Sequence, residues 1–481
     1  MNEVTLNTNV DRLAADTHEE LYPVLLAKLR QHNQKHLIRF WDELNPEQRQ
    51  LLASQIDGLD LELVARLVRN RLEEQDWSAV ASRVLPPPAV RLNNQDEKRA
   101  EQAEIIGETV FKAGAVGVVI VAGGQGTRLG FAKPKGMFPI GPLSDATLFQ
   151  ILTEKVLALR AQYDVAIPLY IMTSPATHTE TVTFFEQNEN FGLPADDLFI
   201  FCQGVMPAVD DSGRLMLAAK DQLCLNPDGH GGMLTALKKS GAVADLNERG
   251  IEHLLYVQVD NALVELGNPG FLGYHVLTSS DITTAAIAKT APEDRVGNIV
   301  TLDGKLQIIE YSDIPDSLAE RRGEEGDLEL WAGNTAVHCM TVAFLEQVAD
   351  GTINLPFHYA NKKVPFVDES GVRVEPSEPN ATKFERFIFD LLPAARRSFV
   401  VEVDASETYG PLKNAAGSEK HSPEAVHVQM MDVHRQWLRN AGVEINDEVK
   451  VEISPLWANT AADVRHKIVA GTKITRDTYL Q

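Results

Sequence analysis

From residue 115 onward, short apolar segments alternate with segments of helical periodicity, and this alternation constrains the fold more than any other feature of the chain. The strand-like runs VGVVIVAG, IPLYIMTS, HLLYVQVDN and ITTAAIAK are separated by stretches such as LFQILTEKVLALRAQY. Strands that alternate with helices are typical of a mostly parallel sheet covered by helices. Ligands of such open sheets bind at the carboxyl ends of the strands. The sequence therefore predicts an α/β fold with a ligand site at that edge.

Two further regions flank the predicted sheet. Between about residues 9 and 80, apolar residues such as Leu21 and Leu25 recur at helical spacing, and Asn45-Pro46-Glu47 marks a helix start. The prolines Pro86–Pro88 hold an extended connector. The late segments FVVEVDA, VEINDEV and KVEISPLWA indicate a small strand-rich piece. We predict three domains, which are a helical N-terminal domain (1–100), a central domain that contains the predicted sheet (101–395) and a small C-terminal domain (396–481).

Composition excludes several classes of partner. The 481 residues carry a formal net charge of −23, so a polyanion meets net repulsion, and neither nucleic acid nor an anionic membrane is an expected partner. The 3 cysteines fit neither a disulfide framework nor the spacing of a zinc motif, which favours a reducing, cytoplasmic location. Residues 1–20 lack the apolar stretch of a signal peptide, and later segments lack the apolar length of a membrane span.

The first predicted strand ends in a glycine-rich turn within VVIVAGGQGTRLGFAKPKG, residues 118–136. Gly123, Gly124 and Gly126 would let the backbone approach a ligand closely, and exposed amide hydrogens there suit a phosphate or a base edge. A dinucleotide fingerprint would need glycine at Leu129, and a P-loop would need Gly-Lys followed by Ser or Thr. The turn is therefore a different kind of loop, for which a purely structural role is the alternative.

Three cations follow these glycines at once. Arg128, Lys133 and Lys135 lie within ten residues of the turn in a chain that is acidic overall. Cations gathered beside a bare backbone favour a phosphorylated ligand over a purely structural turn.

The motifs GGQGTRLG and PKGMFPIG resemble the nucleotide-binding signature of the UDP-sugar pyrophosphorylases, and most closely that of the eukaryotic-type UDP-N-acetylglucosamine pyrophosphorylases. The similarity spans about 110–415 and continues in order through further blocks: Ile171-Met172-Thr173-Ser174, Phe201-Cys202-Gln203-Gly204, Pro227-Asp228-Gly229-His230-Gly231-Gly232, Val259-Asp260-Asn261, Ile309-Glu310-Tyr311-Ser312, Ala332-Gly333-Asn334, Lys383-Phe384-Glu385-Arg386-Phe387 and Pro411-Leu412-Lys413-Asn414.

The resemblance implies a reaction and a fold. The reaction joins UTP and a hexosamine 1-phosphate into a UDP-sugar and pyrophosphate, with Mg²⁺ as the cofactor. The implied central domain is catalytic, binds nucleotide and sugar, and is built on a doubly wound, Rossmann-like sheet of the nucleotidyltransferase type.

The resemblance also implies the roles of individual residues. The predicted phosphate-facing catalytic residues are Arg128, Lys135 and Lys413. The predicted UTP-binding residues are Ala122, Gly123, Gly124, Gly126, Thr127, Gln203, Gly229 and His230. The predicted sugar-binding residues are Asp260, Glu310, Gly333, Asn334, Phe387 and Phe389, and Asp260 is also the predicted metal ligand.

The chemistry of the reaction accounts for these residue types. The sugar phosphate attacks the α-phosphorus of UTP, so two polyanions must meet while negative charge moves onto the departing pyrophosphate. Lys135 supplies a compact charge and Arg128 a planar fork of donors for phosphate oxygens. Asp260 follows the apolar run LLYVQV, where its carboxylate suits Mg²⁺. A turn-capping role is the alternative for Asp260 and for Asn334, and a core role is the alternative for Phe387 and Phe389.

Two departures from the pattern leave the sugar open. His230 stands where enzymes that make UDP-N-acetylglucosamine usually have Asn, whereas UDP-glucose pyrophosphorylases have Gly-His-Gly. Lys133 replaces an uncharged residue and is assigned no role. The alternatives are thus a uridylyltransferase for glucose 1-phosphate or for several sugars, and an inactive regulatory protein that binds a UDP-sugar. A protein that only binds a UDP-sugar would not need every phosphate-facing charge. The inactive regulatory protein is therefore disfavoured by the presence of Arg128, Lys135, Asp260 and Lys413.

Overall fold

The computed structural model describes residues 18–70, 77–324, 326–446, 448–469 and 471–481. These residues form two compact units. The helix–hairpin unit takes the described parts of Met1–Gln75, Gly204–Gly232 and Pro356–Phe387, and the sheet unit takes those of Asp76–Gln203, Met233–Leu355 and Ile388–Gln481. Each unit consists of three segments that are far apart in sequence, whereas each predicted domain is one continuous segment. The three sequential domains remain a prediction.

The sheet unit contains an 11-stranded sheet among its described residues. Its strands are β1 Val84–Leu85, β2 Ala89–Val90, β3 Val116–Val121, β4 Leu169–Thr173, β5 Leu198–Cys202, β6 His253–Gln258, β7 Ile282–Ala288, β8 Asn298–Leu302, β9 Lys305–Ile309, β10 Ala332–Thr341 and β11 Ser398–Glu402. The spatial order is β2-β11-β7-β10-β6-β3-β4-β5, and β8 joins β10 and carries β1 and β9.

The central strands run parallel, as the sequence predicts. β6, β3, β4 and β5 are parallel neighbours, and β2, β11 and β7 form a second parallel group. β10 lies between the two groups and is antiparallel to both β6 and β7. The predicted α/β class with a mostly parallel sheet is confirmed. The carboxyl ends of β3, β4, β5 and β6 therefore meet at one edge.

Helices supply the apolar cover of this sheet. β3 is buried along five of its six positions, so its side chains need packing partners on both faces. A core of strand and helix residues, including Val118, Ile120, Phe149 and Leu152, provides them. The helices of this unit are Trp77–Val80, Glu97–Lys112, Leu148–Tyr163, His178–Gln187, Met233–Lys239, Ala242–Glu248, Pro269–Leu277, Asp316–Ala319, Val342–Ala349, Leu391–Ala394, Ala405–Thr408, Pro423–Asn440 and Ala461–Lys467.

The carboxyl-terminal region differs from its prediction in one respect. The segment FVVEVDA was expected to begin a separate strand-rich piece, but it forms β11 and pairs with β7 and β2 inside the large sheet. The segments VEINDEV and KVEISPLWA do form strands, in the short parallel pairs Glu444–Ile445 with Lys473–Ile474 and Val451–Ile453 with Thr478–Leu480. Alternating apolar residues identify β11 as a strand, but its partners lie more than a hundred residues away.

The helix–hairpin unit combines three helices with short strand pairs. The helices are His18–Gln31, Pro46–Asp57 and Leu61–Asn70. Asn45 forms a capping box with Gln48, which confirms the helix start expected there. The strand pairs are Val205–Pro207 with Leu225–Pro227, Leu217–Ala219 with Gln222–Leu223, His358–Lys362 with Ala381–Glu385, and Phe366–Val367 with Arg373–Val374.

Parts of the predicted helical region, 9–17 and 71–76, lie outside the described residues. Pro86–Pro88 joins β1 to β2, so this connector lies between two strands of the sheet. Within the described part of the chain, no helix has both the length and the apolar character to cross a membrane.

Candidate active site

The carboxyl edge of the parallel strands brings together residues from distant parts of the sequence. Ala122 and Gly123 follow β3, Ser174 follows β4, Gln203 follows β5 and Asp260 lies just beyond β6. Adjacent parallel strands in register place their next residues side by side. Sequence order alone therefore delivers these side chains to one edge, where open α/β sheets bind their ligands.

Gly123 lies directly against the side chain of Gln203. A methyl group at Gly123 would lie 2.9 Å from Gln203 Nε2, and Gln203 is 7% exposed. The Gly123 carbonyl accepts a hydrogen bond from Ser174 Oγ at 2.7 Å. The backbone of Gly123 and the amide of Gln203 thus form one surface, and a side chain at position 123 would narrow the space between them.

The other two glycines of the turn have different reasons to be there. A methyl group at Gly126 would lie 2.8 Å from the ring of Phe131, so this glycine is required by packing inside the loop. A methyl group at Gly124 would have no atom within 4 Å among the residues described. The Gly124 carbonyl accepts a hydrogen bond from the Lys135 amide at 3.0 Å, which closes the loop and fixes the backbone position from which the Lys135 side chain extends.

Lys135, Asp260 and Lys413 form the charged centre of this edge. Lys135 Nζ lies 3.0 Å from Asp260 Oδ2, and their side chains are 18% and 11% exposed. Burial by itself would raise the pKa of Asp260, but the positive charges of Lys135 and Lys413 overcome that effect and hold the pKa below its usual value. Asp260 is therefore an ionised carboxylate between two cations.

Lys413 reaches this centre because its segment is hydrogen-bonded to the loop after β6. The Leu412 amide donates to the Asp260 carbonyl at 2.8 Å, and Asn261 Nδ2 donates to the Thr408 carbonyl at 2.8 Å. The Asn261 side chain also accepts from the Gly410 amide at 3.0 Å. These bonds hold the backbone before Lys413 beside Asp260, although the two residues are far apart in sequence.

Arg128 and Thr127 lie in a short 3₁₀ turn, Thr127–Leu129, and both are exposed. Lys133 is also exposed. An exposed guanidinium next to the loop has the reach for a polyphosphate, and its role stays a prediction.

Of the predicted sugar-binding residues, Glu310 follows β9, and Gly333 and Asn334 lie on β10; both strands pair with β8. Asn334 donates its amide hydrogen to the Gly297 carbonyl at 2.8 Å, and a methyl group at Gly297 would lie 3.4 Å from Glu310 Oε1. Asn334 Oδ1 accepts from the Ala336 amide at 3.0 Å, where the β10–β7 register shifts. Asn334 thus has the local turn role that was its alternative, which leaves its Nδ2 group for other contacts.

Two further predicted residues of the sheet unit have packing constraints. A methyl group at Gly333 would lie 2.8 Å from Val296, so close strand packing already requires this glycine. Phe389 is 6% exposed, in keeping with the core role that was its alternative. Neither observation tests a role in sugar binding.

The helix–hairpin unit carries the other predicted site residues, Gly229, His230 and Phe387. The ring of His230 stacks on Phe387, with centroids 5.2 Å apart and an interplanar angle of 23°, and His358 lies 4.4 Å from the same ring. Gly229 has φ of 84°, and a methyl group there would lie 2.4 Å from the Arg386 carbonyl oxygen. The orientation of His230 is therefore set by Phe387 on one side and a glycine-dependent turn on the other.

Sequence reasoning missed the ion pair that supports this loop. Asp228, 4% exposed, pairs with the Arg386 guanidinium, and the Arg386 amide donates to the Asp228 carbonyl at 2.8 Å. The Gly231 amide in turn donates to the Arg386 carbonyl at 2.8 Å. Both residues stand inside motifs quoted for the family resemblance, so their charges were visible, but their pairing was not.

Sequence reasoning also missed a buried lysine at the end of β7. Lys289 follows β7, is 8% exposed and donates from Nζ to Asn298 Oδ1 at 2.6 Å. Burial lowers its pKa. Its isolated position in sequence gave no signal.

The sequence also matches a known family. Residues 62–452 match the family described as UTP–glucose-1-phosphate uridylyltransferase. The chain belongs to this family. It is 34% identical over 458 residues to UDP-N-acetylglucosamine diphosphorylase 2 of Arabidopsis thaliana, a match that covers 90% of this chain and 89% of the relative. It is 37% identical over 379 residues to UDP-N-acetylglucosamine pyrophosphorylase of Saccharomyces cerevisiae, which covers 77% of this chain and 79% of the relative.

Solved structures share the fold. The putative UDP-N-acetylglucosamine pyrophosphorylase of Entamoeba histolytica superposes with a TM-score of 0.75 at 29% identity, over 82% of this chain and all of that one. The uridine diphosphate N-acetylglucosamine pyrophosphorylase of Trypanosoma brucei superposes with a TM-score of 0.80 at 24% identity, over 96% of this chain and 99% of that one. The predicted membership of the UDP-sugar pyrophosphorylases is confirmed.

Proposed function

We propose that this protein is a UDP-N-acetylglucosamine pyrophosphorylase, which forms UDP-N-acetylglucosamine and pyrophosphate from UTP and N-acetylglucosamine 1-phosphate. The observation that carries the proposal is the grouping of Lys135, Asp260 and Lys413 beside the bare turn at Gly123, on the ligand-binding edge of the sheet. The names of relatives 34% and 37% identical to the chain support the choice of sugar.

The chain's own residues supply binding and charge. Gly123 and Gln203 offer a flat, hydrogen-bonding surface that suits the imide edge of uracil, since an amide side chain both donates and accepts. Lys135 and Lys413 neutralise the attacking phosphate and the α-phosphate, which lets two anions meet and stabilises charge moving toward pyrophosphate. The sugar phosphate itself is the nucleophile, so the protein need not supply one.

We further propose that Asp260 holds Mg²⁺. Asp260 suits this role chemically, because it is buried, its carboxylate is ionised, and Mg²⁺ is usually bound by one or two carboxylates together with substrate phosphates. When bound, Mg²⁺ would offset the charge of the phosphate oxygens. Asp260 would hold the ion together with substrate phosphates, and Lys135, 3.0 Å from Asp260, would add its own charge beside them.

A second candidate, a uridylyltransferase that prefers glucose 1-phosphate, is favoured by one observation. His230 occupies the Gly-His-Gly position and its ring stacks on Phe387, so this loop carries an imidazole rather than an amide. A fixed imidazole can donate a hydrogen bond to a sugar hydroxyl or to phosphate.

We also propose a cytoplasmic location. The three cysteines are free, which suits a reducing compartment. The net charge of −23 supports the expectation that neither nucleic acid nor an anionic membrane is a partner.

The test is a pyrophosphate-release assay with UTP, Mg²⁺ and a panel of sugar 1-phosphates. The proposal expects the highest kcat/KM with N-acetylglucosamine 1-phosphate. A higher value with glucose 1-phosphate would replace it with the second candidate, and no release with any sugar would indicate a binding protein. Arg160→Met, which removes the partly buried ion pair between Arg160 on the helix Leu148–Tyr163 and Asp197, serves as the active control variant.

A further inference from the structure

Two histidines and a buried cysteine meet at the opposite end of the sheet from the candidate active site. His253 begins β6, His275 lies on the helix Pro269–Leu277 and Cys339 lies on β10. One ring nitrogen of each histidine and the cysteine sulfur all lie within 4.8 Å of one another. Asp260 lies seven residues along the chain from His253, a distance of roughly 20 Å in extended strand.

The register of the sheet explains why these groups share a face. Leu255 of β6 pairs with Cys339 of β10, so His253, two residues earlier on β6, points to the same side as Cys339. Thr283 of β7 pairs with Cys339 from the other side. His275 comes down onto this face from its helix, and its Nδ1 lies 2.9 Å from Thr283 Oγ1. The cluster is thus built from four separate elements.

The unpaired nitrogens are the observation that points to a ligand. His253 Nδ1 and His275 Nε2 are inaccessible to solvent and have no hydrogen-bond partner among the described residues. Buried polar atoms are normally satisfied by protein, water or an ion, since an unpaired one costs free energy. His275 is 1% exposed and Cys339 is 0% exposed, and the residue His253 is half-buried although its Nδ1 is inaccessible to solvent.

We propose that His253, His275 and Cys339 form a buried Zn²⁺ site, with solvent at the fourth position. Neutral imidazole and thiolate are the ligands that Zn²⁺ prefers. Donor atoms around Zn²⁺ lie about 3.3–3.8 Å apart, given Zn–N of about 2.0–2.1 Å and Zn–S of about 2.3 Å. The present spacing therefore needs a closure of about 1 Å, which side-chain rotation can supply.

His275 is already in the protonation state that binds Zn²⁺, whereas Cys339 must lose a proton to do so. Burial lowers the pKa of His275 to about 3, so its imidazole is neutral at physiological pH. When His275 Nδ1–H donates to Thr283 Oγ1, Nε2 keeps a lone pair that no described residue uses, and this is the orienting contact that metal-bound histidines usually have. Burial also raises the pKa of the Cys339 thiol, so binding releases its proton to solvent and forms the thiolate.

Spacing along the chain gives no sign of this site. The ligands are 22 and 64 residues apart, at positions 253, 275 and 339, so they match no zinc motif. The proposed Zn²⁺ site is separate from the proposed Mg²⁺ site at the other edge and does not rest on the proposed activity.

The experiment measures zinc bound to the full-length protein after loading with ZnCl₂ and removal of free metal on a chelating resin. Wild type and the matched control Cys224→Ala, which removes another buried thiol, are expected to retain about one zinc per chain, as one set of three ligands allows. Cys339→Ala is expected to bind more than about 100-fold more weakly, and Thr283→Val about 10–100-fold more weakly, the cost of losing an orienting contact.

Cobalt supplies a readout that does not depend on whether Cys339→Ala folds. In the double variant C202A/C224A, Cys339 is the sole thiol, so a near-ultraviolet thiolate-to-Co²⁺ charge-transfer band can arise from no other cysteine. The proposal expects this band at one Co²⁺ per chain. Absence of the band, absence of zinc in the loaded wild type, or equal zinc in Cys339→Ala would each overturn it and leave a buried water as the partner of the two nitrogens.

Discussion

Replacing Lys135 by methionine separates the two tasks that this lysine performs, because methionine keeps most of the side-chain volume and removes the charge. Lys135 Nζ lies 3.0 Å from Asp260 Oδ2 in a partly buried pair. Removing one partner of a buried pair costs about 3–5 kcal/mol, since the other charge is left without compensation. Lys413 remains close to Asp260, so we expect a loss of unfolding free energy near the lower end, about 3 kcal/mol.

The catalytic effect has a different origin and size. A preorganised charge that stabilises the transition state contributes about 10²–10³ to turnover. We therefore expect Lys135→Met to lower kcat/KM for pyrophosphate release by about that factor. Denaturant unfolding measures the first effect and a coupled pyrophosphate assay the second.

Two companion variants make this prediction sharp. In Lys135→Met with Asp260→Asn the uncompensated charge is gone, so most of the lost stability returns while activity stays low. Arg160→Met is the matched control, because Arg160 and Asp197 are 18% and 12% exposed, nearly the same as Lys135 and Asp260, and Asp197 likewise has a second cation, Arg249. It is expected to lose similar stability and keep wild-type kcat/KM.

The reasoning is refuted if Lys135→Met retains kcat/KM within about tenfold of wild type, a change of about 1.4 kcal/mol. Recovery of activity in the double variant would contradict it equally, because it would trace the whole loss to misfolding around Asp260.

Three other outcomes follow from single residues. Gly123→Ala should raise the KM for UTP by more than about tenfold, because its methyl group would lie 2.9 Å from Gln203 Nε2. Gly124→Ala should leave this KM unchanged, because its methyl group would have no atom within 4 Å among the described residues. Equal KM values for the two variants would contradict this prediction. His230→Asn should raise the preference for N-acetylglucosamine 1-phosphate over glucose 1-phosphate in a competition assay, and an unchanged product ratio would remove His230 from specificity. The pKa of Asp260 is lower in the folded protein than in the unfolded chain, so the unfolded chain binds more protons, and the stability that Asp260 contributes is present above about pH 3.8 and is lost as pH falls through the folded pKa. Asp260→Asn should therefore lose part of the acid dependence of the unfolding free energy. An unchanged slope of that free energy against pH would contradict this prediction.

The sequence carries enough information to predict the sheet and its ligand edge. The buried run of β3, the glycines after it and the aspartate after the run LLYVQV are local signals, and parallel register places their ends together without further information. The same logic fails for β11, because a strand reveals its character locally but its neighbours through pairing that spans the chain.

Pairings between distant charged residues could not be predicted in the same way. Lys135 and Asp260 were each proposed for phosphate chemistry, but their contact depends on a loop closed by the Gly124 carbonyl. Asp228 and Arg386 stand in separate motifs, and their ion pair depends on two hairpins meeting. Side-chain partners across more than a hundred residues follow from packing, which a single sequence does not display.

The most direct measurement is the distance from Lys135 Nζ to the nearest phosphate oxygen in a crystal structure of the protein with bound UDP-N-acetylglucosamine. The account predicts about 2.7–3.2 Å, with Lys413 Nζ also within hydrogen-bonding range of a phosphate and the uracil against Gly123. A complex in which the nucleotide lies elsewhere, with no phosphate oxygen within about 4 Å of either lysine, would contradict it.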